Sequence, residues 1–468
     1  MIFRAILFLA VAIPAFSQTP GSPGQNYPWA SNNGAWTFFT DPRAMYYRGT
    51  QEKVYLGFIS QQGSDRVWSY DYATGTIDTA TLHAILQVDD HDEPALYVRT
   101  DGRITAFYQR HNTDRNLYIR TTVNPEDIRT WGAERIVTMP AAVTYAHPFR
   151  MAAESNRLYL FSRSINFHPT VMSSTDEGLT WGTPSEFIAG GGARPYVKYR
   201  GDGLSRIHFS FTDGHPRDEP TNSIYYANFS GGSFYRANGT LIRAYTAATP
   251  LLHAEAEKVY DGAAATGRAW IWDIAMDSLG RPVMVFVVAP LETDHRYYYA
   301  RWNGTSWLVR QICAAGSWFP ETPTATVERE PHYSGGIIIN PQNVSEVFLS
   351  RPPNGVVGGT FEIERWLTSD GGITWTSQAI TAGSSANNVR PILPWAVTGQ
   401  SNPRPLIFWM HGHYVHYTNY QTGIKYMFLP TTVPVLGKSL QPAWKRIFGS
   451  LFFREESRDA LGRVPIAE

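Results

Sequence analysis

Along most of this chain, apolar and polar residues alternate in runs of four to eight, and each run stops at a turn signal. A period of two places alternate side chains on opposite faces, so the runs predict β-strands. Seven times an apolar strand is followed, a few residues on, by an aromatic-rich strand and a turn. The first of these partners read EKVYLGFIS, GRITAFYQRH, NRLYLFSRS, SRIHFSFTDGH, GRPVMVFVVAP, SEVFLSRP and PRPLIFWMHGH. The spacing, roughly 50–70 residues, lies in the range of propeller blades with long loops. Asp101-Gly102, Gly201-Asp202-Gly203 and Ser278-Leu279-Gly280 read as hairpin turns between a blade's first and second strands. No long segment keeps a helical period before the end of the chain. The pattern predicts an all-β fold, a seven-bladed β-propeller with four-stranded antiparallel blades, over residues 36–430.

The two ends depart from this pattern. Arg4, the apolar run ILFLAVAIPAF and the small residues Ala15-Phe16-Ser17 read as a signal peptide over residues 1–17, which predicts a secreted protein. Residues 18–35, rich in Pro, Gly, Ser and Asn, read as a lead-in. Residues 431–468 carry basic and aromatic pieces and then a charged end, and no function is assigned to them. Cys313 is the single cysteine, so no intrachain disulfide forms and stability must come from packing. Forty basic and forty acidic residues give zero net charge, which removes the electrostatic case for nucleic acid or an anionic membrane. A local basic cleft for an anionic polysaccharide is compatible with that total. A monomer is expected.

Two turns, Ser174-Thr175-Asp176-Glu177-Gly178-Leu179-Thr180-Trp181 and Thr368-Ser369-Asp370-Gly371-Gly372-Ile373-Thr374-Trp375, share the pattern S/T-x-D-x-G-x-T-W known as the Asp box. The Asp side chain caps backbone groups within the turn and Gly supplies a conformation closed to other residues. Both Asp residues therefore read as scaffold.

A tight turn joins the first and second strands of each blade, so the start of one lies beside the end of the other on one face of the disc. First-strand starts carry Asp89-Asp90-His91, Tyr145-Ala146-His147, Arg194-Pro195-Tyr196, Trp272-Asp273, His332-Tyr333 and Arg390. Second-strand ends carry His111, Arg163, Asp213-Gly214-His215, Arg351 and His411-Gly412-His413. Counting back from the hairpin turns sets His91 beside His111 and Tyr145 close to Arg163. This set has a fixed cation and several groups able to move protons, but no obvious carboxylate pair for glycoside hydrolysis and no nucleophile elbow. It suits β-elimination on a uronic acid. Arg neutralises the carboxylate, a His or Tyr removes the C5 proton, and its neighbour protonates the leaving oxygen.

The stretches DDHDEPAL, TYAHP, YLFSR, and RPYVKY followed by IHFSFTDGHPRDEPTNSIYY resemble the ulvan lyases, secreted BNR-repeat-type polysaccharide lyases with a seven-bladed propeller. The resemblance runs over most of residues 36–425. It implies cleavage between sulfated rhamnose and a uronic acid, leaving an unsaturated uronic acid. It implies that His91 and His111 are the paired active-site histidines, Tyr145 the catalytic tyrosine, Arg163 the carboxylate-neutralising arginine and Tyr196 a further active-site tyrosine beside Arg194. Arg351, His332 and Tyr333 become substrate contacts. Some members hold a structural Zn²⁺ through His and Cys, for which His215, Cys313 and His332 are the candidates here. Asp277, in an acidic loop, is a candidate for Ca²⁺. Neither ion is required for the chemistry. Three other readings stand beside this one. They are an exo-acting rhamnose–glucuronate lyase, a sialidase- or rhamnosidase-like hydrolase using Asp90 or Asp213, and a glycan-binding propeller without catalysis.

Overall fold

A computed structural model describes residues 20–265, 267–291, 293–316, 335–355 and 358–430. The proposed signal peptide, the tail 431–468, His332 and Tyr333 lie outside the described residues. The described residues form β-strands joined by turns and short 3₁₀ segments, with no α-helix among them.

The strands assemble into the seven blades that the repeat predicts. Their first strands are Ala44–Arg48, Ala95–Val98, Thr144–Met151, Val197–Gly201, Arg268–Met276, Ile337–Asn340 and Asn387–Ile392, which head blades 1 to 7. Each pairs antiparallel with the strand that follows it, and in most blades two further strands complete the sheet. Blade 4 is larger, because Leu241–Ala244 and Glu257–Tyr260 add to it. Blade 7 obtains only three strands from its own stretch of chain. Its fourth is Trp29–Ser31, from within the lead-in segment, which pairs with Asn419–Phe428. An unpaired edge there would leave a row of free backbone groups, and the start of the chain covers it. A second link across the closure is the parallel pairing of Trp395–Ala396 with Met45 and Tyr46 of blade 1.

The alternation along each strand puts apolar side chains on both faces, where neighbouring blades meet. Leu96, Ile104 and Tyr108 of blade 2 pack with Tyr55 and Val67 of blade 1, and Phe107 and Ile119 of blade 2 pack with Leu158 and Met172 of blade 3. The Asp boxes serve this packing. Trp181 meets Phe107 of the preceding blade edge-on at 6.0 Å, and Trp375 meets Tyr299 of blade 5 at 5.3 Å. Asp176 accepts bonds from the Thr180 amide (2.8 Å) and hydroxyl (2.6 Å), which hold its carboxyl down at about 2. Asp370 does the same with Thr374. Gly178 and Gly372 take φ of 84° and 96°. Asp176→Ala is expected to lower the melting temperature slightly, by roughly 1–2 °C, as loss of one exposed cap does in a chain of this size. Turnover measured below that transition stays at the wild-type value. A loss of turnover without a change in melting would contradict the scaffold role.

Candidate active site

The strand ends that the sequence singles out do converge. His91, His111, Tyr145, Arg163, Arg194, Tyr196 and His215 line one cleft, together with Thr37, Phe38, Phe39, Asn112, Arg217, Trp270 and Tyr417, around a volume of about 230 Å³. Among the described residues that line it there is no carboxylate.

His91 sits in the 3₁₀ turn Asp90–Asp92, which Asp89 caps by accepting from the His91 amide at 3.0 Å. His111 follows the paired strand Ile104–Gln109, so the hairpin brings the two rings face to face, 4.0 Å apart and 7° from parallel. Asp89 lies behind both. One carboxylate oxygen is 2.8 Å from His91 Nδ1 and the other is 2.8 Å from His111 Nδ1. Asp90 adds a second contact to His91 at 2.9 Å.

This arrangement drives the two histidines apart. For His91, burial opposes the charged form, but Tyr145, Asp89 and Asp90 together outweigh it and hold the proton affinity well above the ordinary value. For His111, burial and the positive charge of His91 outweigh Asp89 and push the value down to about 4. At neutral pH the pair is one imidazolium stacked on one neutral imidazole. With the Nδ1 hydrogen of His111 directed at Asp89, its Nε2 is left as the acceptor.

Tyr145 lies at a β-bulge in the first strand of blade 3, where the register slips between Thr144 and His147. Its φ is +59°, a region sparsely used by aromatic residues. The bulge turns its ring into the cleft, 5.6 Å from His91. Arg163 ends the neighbouring strand opposite Thr144 and is only 5 % exposed as a residue. Its guanidinium lies 4.8 Å from the Tyr145 ring and 5.4 Å from the Tyr196 ring, and one terminal nitrogen is 3.5 Å from His111 Nε2. Burial disfavours its charge, but Tyr145 and Tyr196 more than offset this. No carboxylate of the described residues pairs with it. On the rim, Asp218 holds Arg194 at 2.8 Å and Arg217 at 3.1 Å.

The floor comes from a segment that sequence reasoning passed over. The carbonyls of residues 36–38 are each held by a buried cation: Trp36 by Arg390 (2.8 Å), Thr37 by Arg43 (2.6 Å) and Phe38 by Lys198 (2.6 Å). Phe38 thereby stacks on Trp272 at 3.8 Å, and Phe39 fills the space between Tyr145 and Tyr196. The run Trp36-Thr37-Phe38-Phe39 immediately before the first blade was the available signal. Tyr417 was hidden for a different reason. The second strand of blade 7 does not end at His411-Gly412-His413 but runs on as Leu406–His416, and Tyr417 at its tip packs edge-on to both histidines, 5.1 and 5.4 Å away.

Other expected residues lie elsewhere. His411 bonds Asn388 at 2.8 Å, and Arg390 is an internal latch paired with Asp90 at 2.6 Å. Arg351 does not line the cleft. It pairs with Glu364 at 2.9 Å and covers Trp366. Asp90 is consumed by Arg390, Tyr414 and His91, and Asp213 by Tyr225 and Ser223. Neither acid candidate of a hydrolase therefore lines the cleft. Of the anticipated zinc set, His332 lies outside the described residues, and the other two have different surroundings. Cys313 is buried near Arg351 and Glu364, with its thiol pushed up to about 12 by burial, whereas His215 packs against Tyr196 and Trp270 in the cleft. Among the described residues, the one grouping of three metal-ligand side chains is Asp89, His91 and His111, already joined by hydrogen bonds. Asp277 is taken up by the amides of Leu279 and Arg281 and by the Arg301 side chain.

The fold has solved counterparts. It is similar to a polysaccharide lyase of family PL25, an ulvan lyase, at 14 % identity and a TM-score of 0.63, covering 86 % of this chain and 95 % of that one. The same figures hold for that enzyme bound to -[GlcA(1-4)Rha3S]-. A lectin from Burkholderia pseudomallei is 12 % identical, with a TM-score of 0.45 over 84 % of this chain and 97 % of its own. No curated protein matches the chain. Residues 46–315, more than half of the sequence, match the family described as BNR repeat-containing. The chain belongs to the BNR repeat-containing family.

Proposed function

We propose that the protein is a polysaccharide lyase that cuts rhamnose–uronic acid linkages of ulvan, or of a closely related anionic glycan, by β-elimination. The observation that carries this reading is Arg163, a buried cation without a carboxylate partner among the described residues, set against a charged and a neutral histidine and a tyrosine. A buried charge without its counter-ion costs several kcal/mol, so a site that keeps one is built to receive an anion. The fold shared with an ulvan lyase supports the choice of substrate.

In this reading the uronate carboxylate docks on Arg163, which withdraws charge and makes the C5 proton acidic. His111 Nε2, next to that guanidinium, takes the proton. Seating an anion there also cancels part of the positive field that depresses His111. The electrons form the C4–C5 double bond, the C4–O4 bond breaks, and the Tyr145 hydroxyl gives its proton to the departing oxygen. In a glucuronate, the C5 hydrogen and O4 lie on the same ring face, so this reading requires His111 and Tyr145 to approach the sugar from one side. The imidazolium of His91 beside Tyr145 makes that hydroxyl a better acid.

The test is incubation with ulvan while following the ultraviolet absorbance of a 4,5-unsaturated uronic acid and the appearance of reducing ends. Both signals rising together are expected. New reducing ends without absorbance mean hydrolysis and exclude elimination. Tyr145→Phe is expected to slow the absorbance signal by about 100-fold or more, as removal of a general acid does. A variant within a factor of a few of wild type would remove Tyr145 from the chemistry.

A further inference from the structure

We infer that the reverse face of the propeller carries a second anion-binding site, formed by Arg150, Arg200 and Trp395, for the carboxylate or sulfate group of an acidic saccharide. The strands that deliver Tyr145 and Tyr196 to the cleft continue through the disc. Five residues after Tyr145 comes Arg150, and four after Tyr196 comes Arg200, roughly 13–17 Å away along an extended strand. There both arginines line a second pocket of about 80 Å³ with Tyr97, Phe149 and Trp395. One ordered water needs roughly 10–15 Å³ of such space, so the pocket admits an oxyanion and part of its carrier.

Neither arginine side chain hydrogen-bonds or ion-pairs with any described residue. The Arg200 guanidinium carbon sits over the Trp395 indole, 3.9 Å from the ring centre, a cation–π contact that holds the group in place. Trp395 is itself fixed, because its backbone pairs in parallel with Met45 of blade 1. The acids whose fields reach Arg200 are already committed. Asp41 pairs with Lys198 and Arg43, and Asp273 accepts the Ile339 and Ile274 amides. Burial without a partner lowers the Arg200 proton affinity to about 10, which leaves it charged at neutral pH. Arg351 and Arg365, also half-buried, show the alternative, since each is neutralised by a carboxylate, Glu364 and Glu346. Two arginines without one, lining the same pocket, are arranged for an anion from outside. That the anion sits on a saccharide rests on the function proposed above; the oxyanion recognition does not.

Calorimetric titration of sodium glucuronate into the Arg163→Gln protein isolates this site from the cleft. One binding event is expected, displaced by inorganic sulfate and absent with glucose. Adding Arg150→Gln and Arg200→Gln should weaken it by about tenfold or more, as loss of charge-assisted pairs does. Arg200→Lys, which keeps the charge and the bulk, should lose affinity with an unchanged melting temperature and so guards against a folding artefact. Equal heats in all these proteins, or glucose binding as well as glucuronate, would overturn the second site. Ulvan cleavage is read separately, in the wild-type protein, so failure of one proposal does not carry the other with it.

Discussion

Arg163→Lys is expected to lower kcat/KM on ulvan by about 100-fold or more, with most of the loss in kcat. Arginine presents a planar fork that grips both carboxylate oxygens, whereas lysine offers a point charge on a flexible stem. The charge that matters develops at the carboxylate as the C5 proton leaves, so the interaction strengthens toward the transition state. Losing a positioned donor to such a charge commonly costs 10²–10³ in rate, about 2.7–4 kcal/mol. The surroundings make compensation difficult. Tyr145 and Tyr196 pack against the guanidinium, and His111 Nε2 stands 3.5 Å away, so a shorter ammonium loses these contacts and pairs with no carboxylate of the described residues. Arg163→Met adds a second readout. Removing an unpaired buried cation should leave the melting temperature level or raise it while activity disappears. A steep fall in melting temperature would show that Arg163 holds the fold together, and near-normal kinetics in the lysine variant would remove it from the reaction.

Much of this was legible in the chain, for a physical reason. A propeller repeats its packing, so strand positions are written seven times, and polar groups that break the repeat at strand ends stand out. His91, His111, Tyr145, Arg163, Tyr196, Arg194 and His215 were reached in that way. Residues placed by long-range contacts were not. Phe38 and Phe39 belong to no blade copy, and their position depends on Arg390, Arg43 and Lys198 from three separate stretches of chain. Arg390 and Arg351 occupy the right strand ends, but each has an acid within reach, Asp90 and Glu364, and that pairing is invisible without the fold. The closing strand Trp29–Ser31 was obscured by its length, since three residues are too few to show an alternation. Asp89 was visible as a neighbour of His91, but its service to both rings was not, because His111 is remote in sequence.

That double service makes Asp89→Asn the most informative single change. One Asp89 oxygen faces each Nδ1. Asparagine keeps one acceptor and presents an amide hydrogen to the other ring, so one histidine must give up its Nδ1 proton, His111 by shifting it to Nε2 or His91 by losing its charge. If that ring is His111, the acceptor lone pair aimed at the C5 proton is lost. If it is His91, the imidazolium beside Tyr145 loses its support. Either way kcat should fall by roughly 10³–10⁴, the scale seen when the aspartate orienting a catalytic histidine is neutralised. The pH dependence separates this from a merely structural defect. The His91 value is raised in the fold, so its stabilisation is complete below the unfolded histidine value near 6.5 and fades as pH climbs through the folded value. The Asp89 value is depressed, so its contribution is present above about 3.9 and fades as pH falls. The stability gap between wild type and Asp89→Asn should therefore be widest between roughly pH 4 and 6.5 and should narrow on both sides. Without the carboxylate, burial weighs more heavily on His91 and its proton leaves sooner. The alkaline limb of the kcat/KM profile should then move to lower pH. A uniform loss of activity with the limb unmoved would mean that Asp89 only braces the 3₁₀ turn and does not set the charge on His91.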